Sequence, residues 1–118
     1  MSELRKKKCK SCEDEGVQAF DTDTIHVYML EIPSWELLDG GIKIQRVFEY
    51  QDFLHAMSFV NAVADIAELE GHHPDIHIHY NKVTIDLWTH NVGGLTENDF
   101  IVATKIDEFY NSPIIKHP

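Results

Sequence analysis

The sequence predicts an α+β fold of order α-β-β-α-β-β-α, with a four-stranded antiparallel sheet and helices packed on one of its faces. Three observations carry that expectation. The stretch "IHIHYNKVTIDLWTH" (76–90) alternates apolar and polar residues with the period of a strand. The stretch "QDFLHAMSFVNAVADIAELEG" (51–71) repeats apolar residues at helical spacing and closes on a glycine suited to end a helix. Paired alternating segments and helical segments take turns along the chain, the pattern of a layered α+β domain.

Residues 1–20 show no periodicity and are expected as a basic, flexible tail, leaving 21–118 as a single domain. In "DTDTIHVYMLEIP", Asp21 or Thr22 can cap a short helix carrying Ile25, Met29 and Ile32 on one side, and Pro33 ends it. "SWELLDGGIKIQRVFEY" then reads as a hairpin around Gly40-Gly41. Its second strand alternates through Ile42, Ile44, Val47 and Phe48, with one irregularity that suggests a bulge.

The long central helix should present Phe53, Met57, Val60, Val63 or Ala64, and Ala67 to the core, with Gly71 as its C-terminal cap. A second hairpin with a tight turn at Asn81-Lys82 would oppose Tyr80 to Val83, Ile78 to Ile85 and Ile76 to Leu87 on the buried face. On the other face it sets His77 across from Asp86 and His79 across from Thr84. The last helix opens at Thr96, with Asp99 three residues on in a near capping box, and carries Phe100, Ala103 and Ile106.

Composition excludes several classes of function. Five of the ten basic residues lie in the first ten positions, so the remaining 108 residues set 5 basic against 19 acidic side chains, a net of −14. Such a body repels phosphate backbones, which argues against nucleic acid as its ligand. No apolar run is long enough to span a bilayer and no apolar segment follows the basic N-terminal residues, so the expected setting is the cytoplasm and not a membrane. Cys9 and Cys12 form one C-x-x-C, which supplies two of the four ligands that a structural zinc site needs. They are expected as reduced surface thiols, with no metal and no cofactor.

Five of the eight histidines fall within "GHHPDIHIHYNKVTIDLWTH" (71–90). His72 and His73 follow a helix end, and Pro74 restricts His73 to an extended backbone. His90 closes a strand, where loops gather. Imidazole gives and takes a proton near neutral pH at small cost, which suits these three to acid/base work. His77 and His79 sit mid-strand and read as a polar sheet surface; an H-x-H metal pair is the competing reading, but the five histidines cannot all converge on one ion.

Glu68, three residues, His72-His73-Pro74, five residues, Tyr80, nine residues, His90, eight residues and Asp99 together resemble the signature of the pterin-4a-carbinolamine dehydratases. The resemblance covers about residues 33–110, including the segments around Trp35 and "YNKVTIDLWTH", and the "CKSC" tail is similar to N-termini of bacterial members. It implies dehydration of 4a-hydroxytetrahydropterin to quinonoid dihydropterin, which recycles the cofactor of aromatic amino acid hydroxylases. It also implies His72, His73 and His90 as catalytic residues, with His72 and His90 as acids for the departing hydroxyl and His73 chiefly binding the pterin. Asp99, Glu68 and Trp35 complete the implied substrate contacts, Asp99 alternatively orienting a histidine. A homodimer or homotetramer is expected from the open sheet and from the family's habit, together with a functional link to a hydroxylase. The competing class is a co-regulator that serves as a dimerisation cofactor for another protein without needing catalysis.

Overall fold

The computed structural model describes residues 4–9 and 18–112. The elements are α1 (Thr22–Met29), β1 (Glu36–Leu38), β2 (Lys43–Glu49), α2 (Phe53–Glu70), β3 (Asp75–His79), β4 (Lys82–Leu87) and α3 (Glu97–Asn111), with short 3-10 turns at Leu4–Lys6 and His90–Val92. All strand pairs are antiparallel and the sheet order is β1-β2-β4-β3, so both hairpins contribute their second strand to the centre. The α+β architecture expected from the sequence is the one present.

Side chains cap the first turns of α1 and α2: Asp21, as expected, and Asp52, which the sequence reading did not single out. The Asp21 carboxylate accepts from the Thr24 N–H at 2.8 Å, and the Asp52 carboxylate accepts from the His55 N–H at 2.9 Å. Each bond satisfies an otherwise orphaned donor of a first turn and holds its carboxyl below the usual carboxylate range. Gly71 ends α2 in the left-handed region, φ 66°, where a side chain would be strained.

The central strands bury Ile44 and Phe48 of β2 and Val83, Ile85 and Leu87 of β4 against the helices. Phe48 meets Phe59 of α2 at 4.7 Å between ring centroids and Tyr110 of α3 edge-on at 5.0 Å, so one aromatic cluster joins the sheet to both long helices. Phe59→Ala would open a cavity in this cluster at a cost of about 3–5 kcal/mol.

Four local expectations are corrected. The break in β2 is not a bulge: the register against β4 is regular, and Arg46 takes the inward position between Ile44 and Phe48. Its guanidinium donates to Asp107 at 2.7 Å and lies 4.5 Å from the Phe48 ring centre, which pairs the charge and covers its flat face. Val47 is consequently on the outer face and exposed, and Ile42, in the turn before β2, is exposed too. The buried stripe of α2 is Ala56, Phe59, Val63 and Ala67, while Phe53 is exposed, because the helix's 18 residues hold two apolar stripes and sequence spacing alone does not choose between them.

The second hairpin turns at Tyr80-Asn81, one position before the expected Asn81-Lys82, which shifts each cross-strand partner by two residues. His79 pairs with Lys82, His77 with Thr84 and Ile76 with Ile85. Strand alternation has period two, so each strand keeps its faces after this slip, but Tyr80 leaves the core for the turn, with φ 56°, and Ile78, on the edge strand, is exposed and not buried as expected. Asn81 pins the new turn, its backbone C=O accepting from Tyr50 N–H at 2.9 Å and its side-chain amide donating to Tyr50 O at 2.8 Å.

The tail expected over 1–20 is held at residues 4–9. Leu4 is buried in the core cluster and its 3-10 turn packs on α3, since a leucine beside an open apolar helix face gains by leaving water. The boundary at residue 20 therefore does not separate Leu4 from the domain.

Candidate active site

Three element ends meet at one end of the sheet. The end of α2 places His72 and His73, the exit of β4 places Trp88, Thr89 and His90, and the first turn of α3 places Asp99. Gly71, His72, His73, Trp88, Thr89, His90 and Asn91 line an open cleft of ≈ 250 Å³. A hollow of ≈ 500 Å³ elsewhere, between the N-terminal turn, α2 and α3, holds no histidine, and its charges are matched as Arg5–Glu108 and Lys105–Glu70 pairs. Of the two, the smaller cleft is the one lined by histidines.

At its floor His72 is 7% exposed and Asp99 fully buried. His72 Nε2 lies 2.6 Å from Asp99 Oδ1. Asp99 Oδ2 accepts from the Thr89 hydroxyl at 2.8 Å and from the Thr96 backbone N–H at 2.9 Å. The carboxylate is thus an acceptor in three bonds, and one side chain both caps α3 and grips an imidazole from α2. Because an ionised carboxylate only accepts, Nε2 of His72 carries the hydrogen, leaving Nδ1 as the ring nitrogen able to accept a proton.

The β4 exit is shaped by a tight turn. Thr89 N–H donates to Gly94 O at 2.8 Å, and Gly93 takes a left-handed φ of 68°. This reversal sets the His90 ring over the Trp88 indole, with centroids 4.0 Å apart and planes 29° from parallel. His73 stands at the rim, 61% exposed, its Nε2 2.7 Å from Glu68 Oε2 across the last turn of α2.

His72, His73 and His90 are therefore brought together, Asp99 lies directly behind His72, and Glu68 reaches the site through His73. Trp35 does not line the cleft. Its indole N–H donates to both oxygens of Asp107, at 2.9 and 3.1 Å, in a buried network with Arg46. A buried indole N–H needs an acceptor, and the α3 carboxylate beneath the sheet supplies it. Burial raises the Asp107 carboxyl, opposed by the bonds from Trp35 and Arg46.

His77 sits on the outer sheet face, 3.4 Å from Asp86, although the shifted register pairs its backbone with Thr84. His79 is exposed beside the turn. Among the described residues no group of three or more His, Cys, Asp or Glu side chains is placed to hold a metal ion. Cys9 is half-buried with its thiol 3.6 Å from Asn98 O, not the surface thiol expected, and Cys12 lies outside the described residues.

Sequence reasoning missed Trp88 and Thr89. Their position beside His90 was the available signal, but strand alternation could not say that Trp88 would turn onto its neighbour's ring. Among the described residues no helix is long and apolar enough to cross a membrane.

Fold and cleft define a small α+β domain with a cleft built of histidines over a buried carboxylate, groups suited to proton transfer. The family model described as pterin 4 alpha carbinolamine dehydratase matches residues 18–109. The chain is 42% identical over 112 residues to a Marinobacter nauticus protein bearing the pterin-4-alpha-carbinolamine dehydratase name, covering 93% of this chain and all of that one. It is 37% identical to the mitochondrial pterin-4-alpha-carbinolamine dehydratase 2 of Arabidopsis thaliana, across 98% of this chain and 64% of the relative. A crystal structure described as a transcriptional coactivator/pterin dehydratase from Brucella melitensis superposes with a TM-score of 0.72 at 31% identity, covering 76% of this chain and 96% of that one. A pterin dehydratase-like RuBisCO assembly factor of the alpha-carboxysome shares the fold, with a TM-score of 0.58 at 22% identity over 67% of this chain and 92% of that one. The chain belongs to the pterin-4a-carbinolamine dehydratase family.

Proposed function

We propose that the protein dehydrates 4a-hydroxytetrahydropterin to the quinonoid dihydropterin by histidine acid/base catalysis. The observation that carries the reading is the convergence of His72, His73 and His90 on one cleft, with Asp99 bonded behind His72. Elimination of water across C4a and N5 needs an acid for the departing hydroxyl and a base for the N5 proton. Protonated His72 or His90 gives its proton to the departing hydroxyl, which leaves as water, and the imidazole so neutralised takes the N5 proton, while His73, bonded to Glu68, binds the flat ring at the rim. An indole stacked on His90 limits that imidazole's rotation and gives an apolar wall beside the heterocycle.

The acceleration required is modest because the adduct also loses water unaided, and positioned acid/base groups contribute about 10²–10⁴-fold. The test is a spectroscopic assay with freshly generated 4a-hydroxytetrahydropterin. Dehydration at the uncatalysed rate in the presence of purified protein would end the proposal.

The proposed working form is a homodimer or homotetramer, functionally linked to an aromatic amino acid hydroxylase. Its support is the apolar outer side of α2, where Leu54 and Leu69 are each more than 70% exposed, and the edge strand β3 with Ile78 and Tyr80 exposed beside it. Light scattering at micromolar concentration should give at least twice the 13.6 kDa chain mass. The Brucella relative's description names coactivation beside dehydration, but the grouped histidines of this chain favour catalysis.

A further inference from the structure

The contact between His72 and Asp99 joins the last turn of α2 to the first turn of α3, two segments of chain with a hairpin between them. Something must keep those helix ends at a fixed spacing if the imidazole is to stay on the carboxylate. The Thr89 and Thr96 bonds hold Asp99, but they do not touch α2. Residues 7–9 do span the gap.

Lys7 Nζ lies 2.9 Å from Glu97 Oε2 at the start of α3. Lys8 Nζ donates to the Leu69 carbonyl in the last turn of α2. Cys9 touches both sides: its N–H donates to Glu70 Oε1 at 2.9 Å, and its thiol donates to the Asn98 carbonyl at 3.6 Å. Glu70 is two residues from His72 and Asn98 is next to Asp99. The Glu70 side chain is 6% exposed, and its second oxygen pairs with Lys105 of α3 at 3.2 Å. Burial acts to raise this carboxyl, but the Cys9 N–H and the Lys105 ammonium outweigh it and hold Glu70 below the ordinary glutamate range. Anchoring upstream comes from Leu4, buried on α3, and from Arg5 paired with Glu108 at 3.1 Å.

We propose that Glu70, stitched to α3 directly through Lys105 and indirectly through the Cys9 strap, is a positioning residue that holds His72 on Asp99. The inference rests on the reading of His72 as an acid/base group. The strap contributes no atom to the cleft; it sets the spacing of the two helix ends whose approach makes the histidine–carboxylate bond. A burial-only role for the N-terminal residues would need Leu4 but not the acceptor at Glu70.

Nitrogen-15 NMR of the histidine rings reads the bond without reference to turnover. In the wild type His72 should show a protected Nε2–H with the matching tautomer. Glu70→Ala should lose that protection and lower kcat about tenfold while KM stays within about twofold, as expected for a group displaced and not removed. Glu70→Gln keeps an acceptor for Cys9 and should retain the protected Nε2–H. Glu70→Asp keeps the charge but loses one methylene of reach, and should show the Ala effects in weaker form should the Ala variant prove too unstable to purify. Ile25→Val, which thins the core at α1, is the control for lost stability and should leave the His72 signal unchanged. Retention of the protected Nε2–H in both Glu70→Ala and Glu70→Asp, or in whichever can be purified, would overturn the proposal. Its loss with unchanged kcat would support the positioning and instead refute the catalytic reading of His72.

Discussion

His72 and Asp99, twenty-seven residues apart in the chain, meet at 2.6 Å between Nε2 and Oδ1 with both side chains withdrawn from solvent. The same carboxylate takes the Thr89 hydroxyl and the Thr96 N–H on its other oxygen. One buried group therefore ties three element ends together and sets the tautomer of an imidazole at the floor of the cleft.

Asp99→Asn should be costly for that reason. A carboxamide has one acceptor oxygen, so its NH₂ must face either the His72 Nε2–H or the Thr89 and Thr96 donors. The expected outcome is a kcat lower by about 10²-fold, with a stability loss of about 1–3 kcal/mol for the mismatched buried donor. Steady-state kinetics and a denaturant melt check both. A kcat within threefold of wild type would show that His72 works without this partner.

The histidines should separate by function. His72→Ala and His90→Ala should each lower kcat by about 10²-fold, the usual loss for a general acid. His73→Ala should act mainly on KM. His77→Ala and His79→Ala, on the outer face and beside the turn, should change the rate less than about threefold. Disabled turnover in either of the last two, with His90→Ala intact, would move the site to the sheet surface.

Trp35 provides the opposite case. Trp35→Phe removes the indole N–H from Asp107 and leaves Arg46 as the partner described for that carboxylate, so it should lower stability by about 1–3 kcal/mol. Because the ring is absent from the cleft lining, kcat should change less than about threefold. Loss of turnover at unchanged stability would return Trp35 to substrate binding.

Cys9 should be a slow thiol. Burial, with Glu70 adding to it, pushes the Cys9 thiol up from 9.0 to about 12. A raised folded value favours the neutral form, so its contribution to stability is intact below pH 9 and is lost as pH climbs toward about 12. At pH 8 the thiolate fraction falls about a thousandfold below that of the unfolded chain. In a Cys12→Ser background, native protein should react with a thiol reagent at pH 8 at least about 10²-fold more slowly than in urea. Equal rates would mean that residue 9 leaves its contact with Asn98 and Glu70.

The spacing of Glu68, His72, His73, His90 and Asp99 was legible because local rules place such residues at element ends. Gly71 stops a helix, Pro74 stiffens the entry to the next strand, and Thr96 with Asp99 opens the last helix. The same rules made the register of the second hairpin ambiguous. A two-residue slip keeps every side chain on its face, and the choice fell to Asn81, whose partner Tyr50 lies on another strand's exit.

By itself the sequence determined the element order, the antiparallel architecture and which histidines stand at chain reversals, since each of these follows from periodicity and capping within about ten residues. Only the tertiary structure decided that Asp99 grips His72, that Trp88 faces His90 while Trp35 turns to Asp107, that Arg46 points inward, and that Leu4 and Cys9 belong to the domain. Nearly all of these are pairings between segments distant in sequence. Their physical reason is shared: a buried donor, charge or ring must find its complement wherever the packed elements happen to present one, and no local pattern records where that will be.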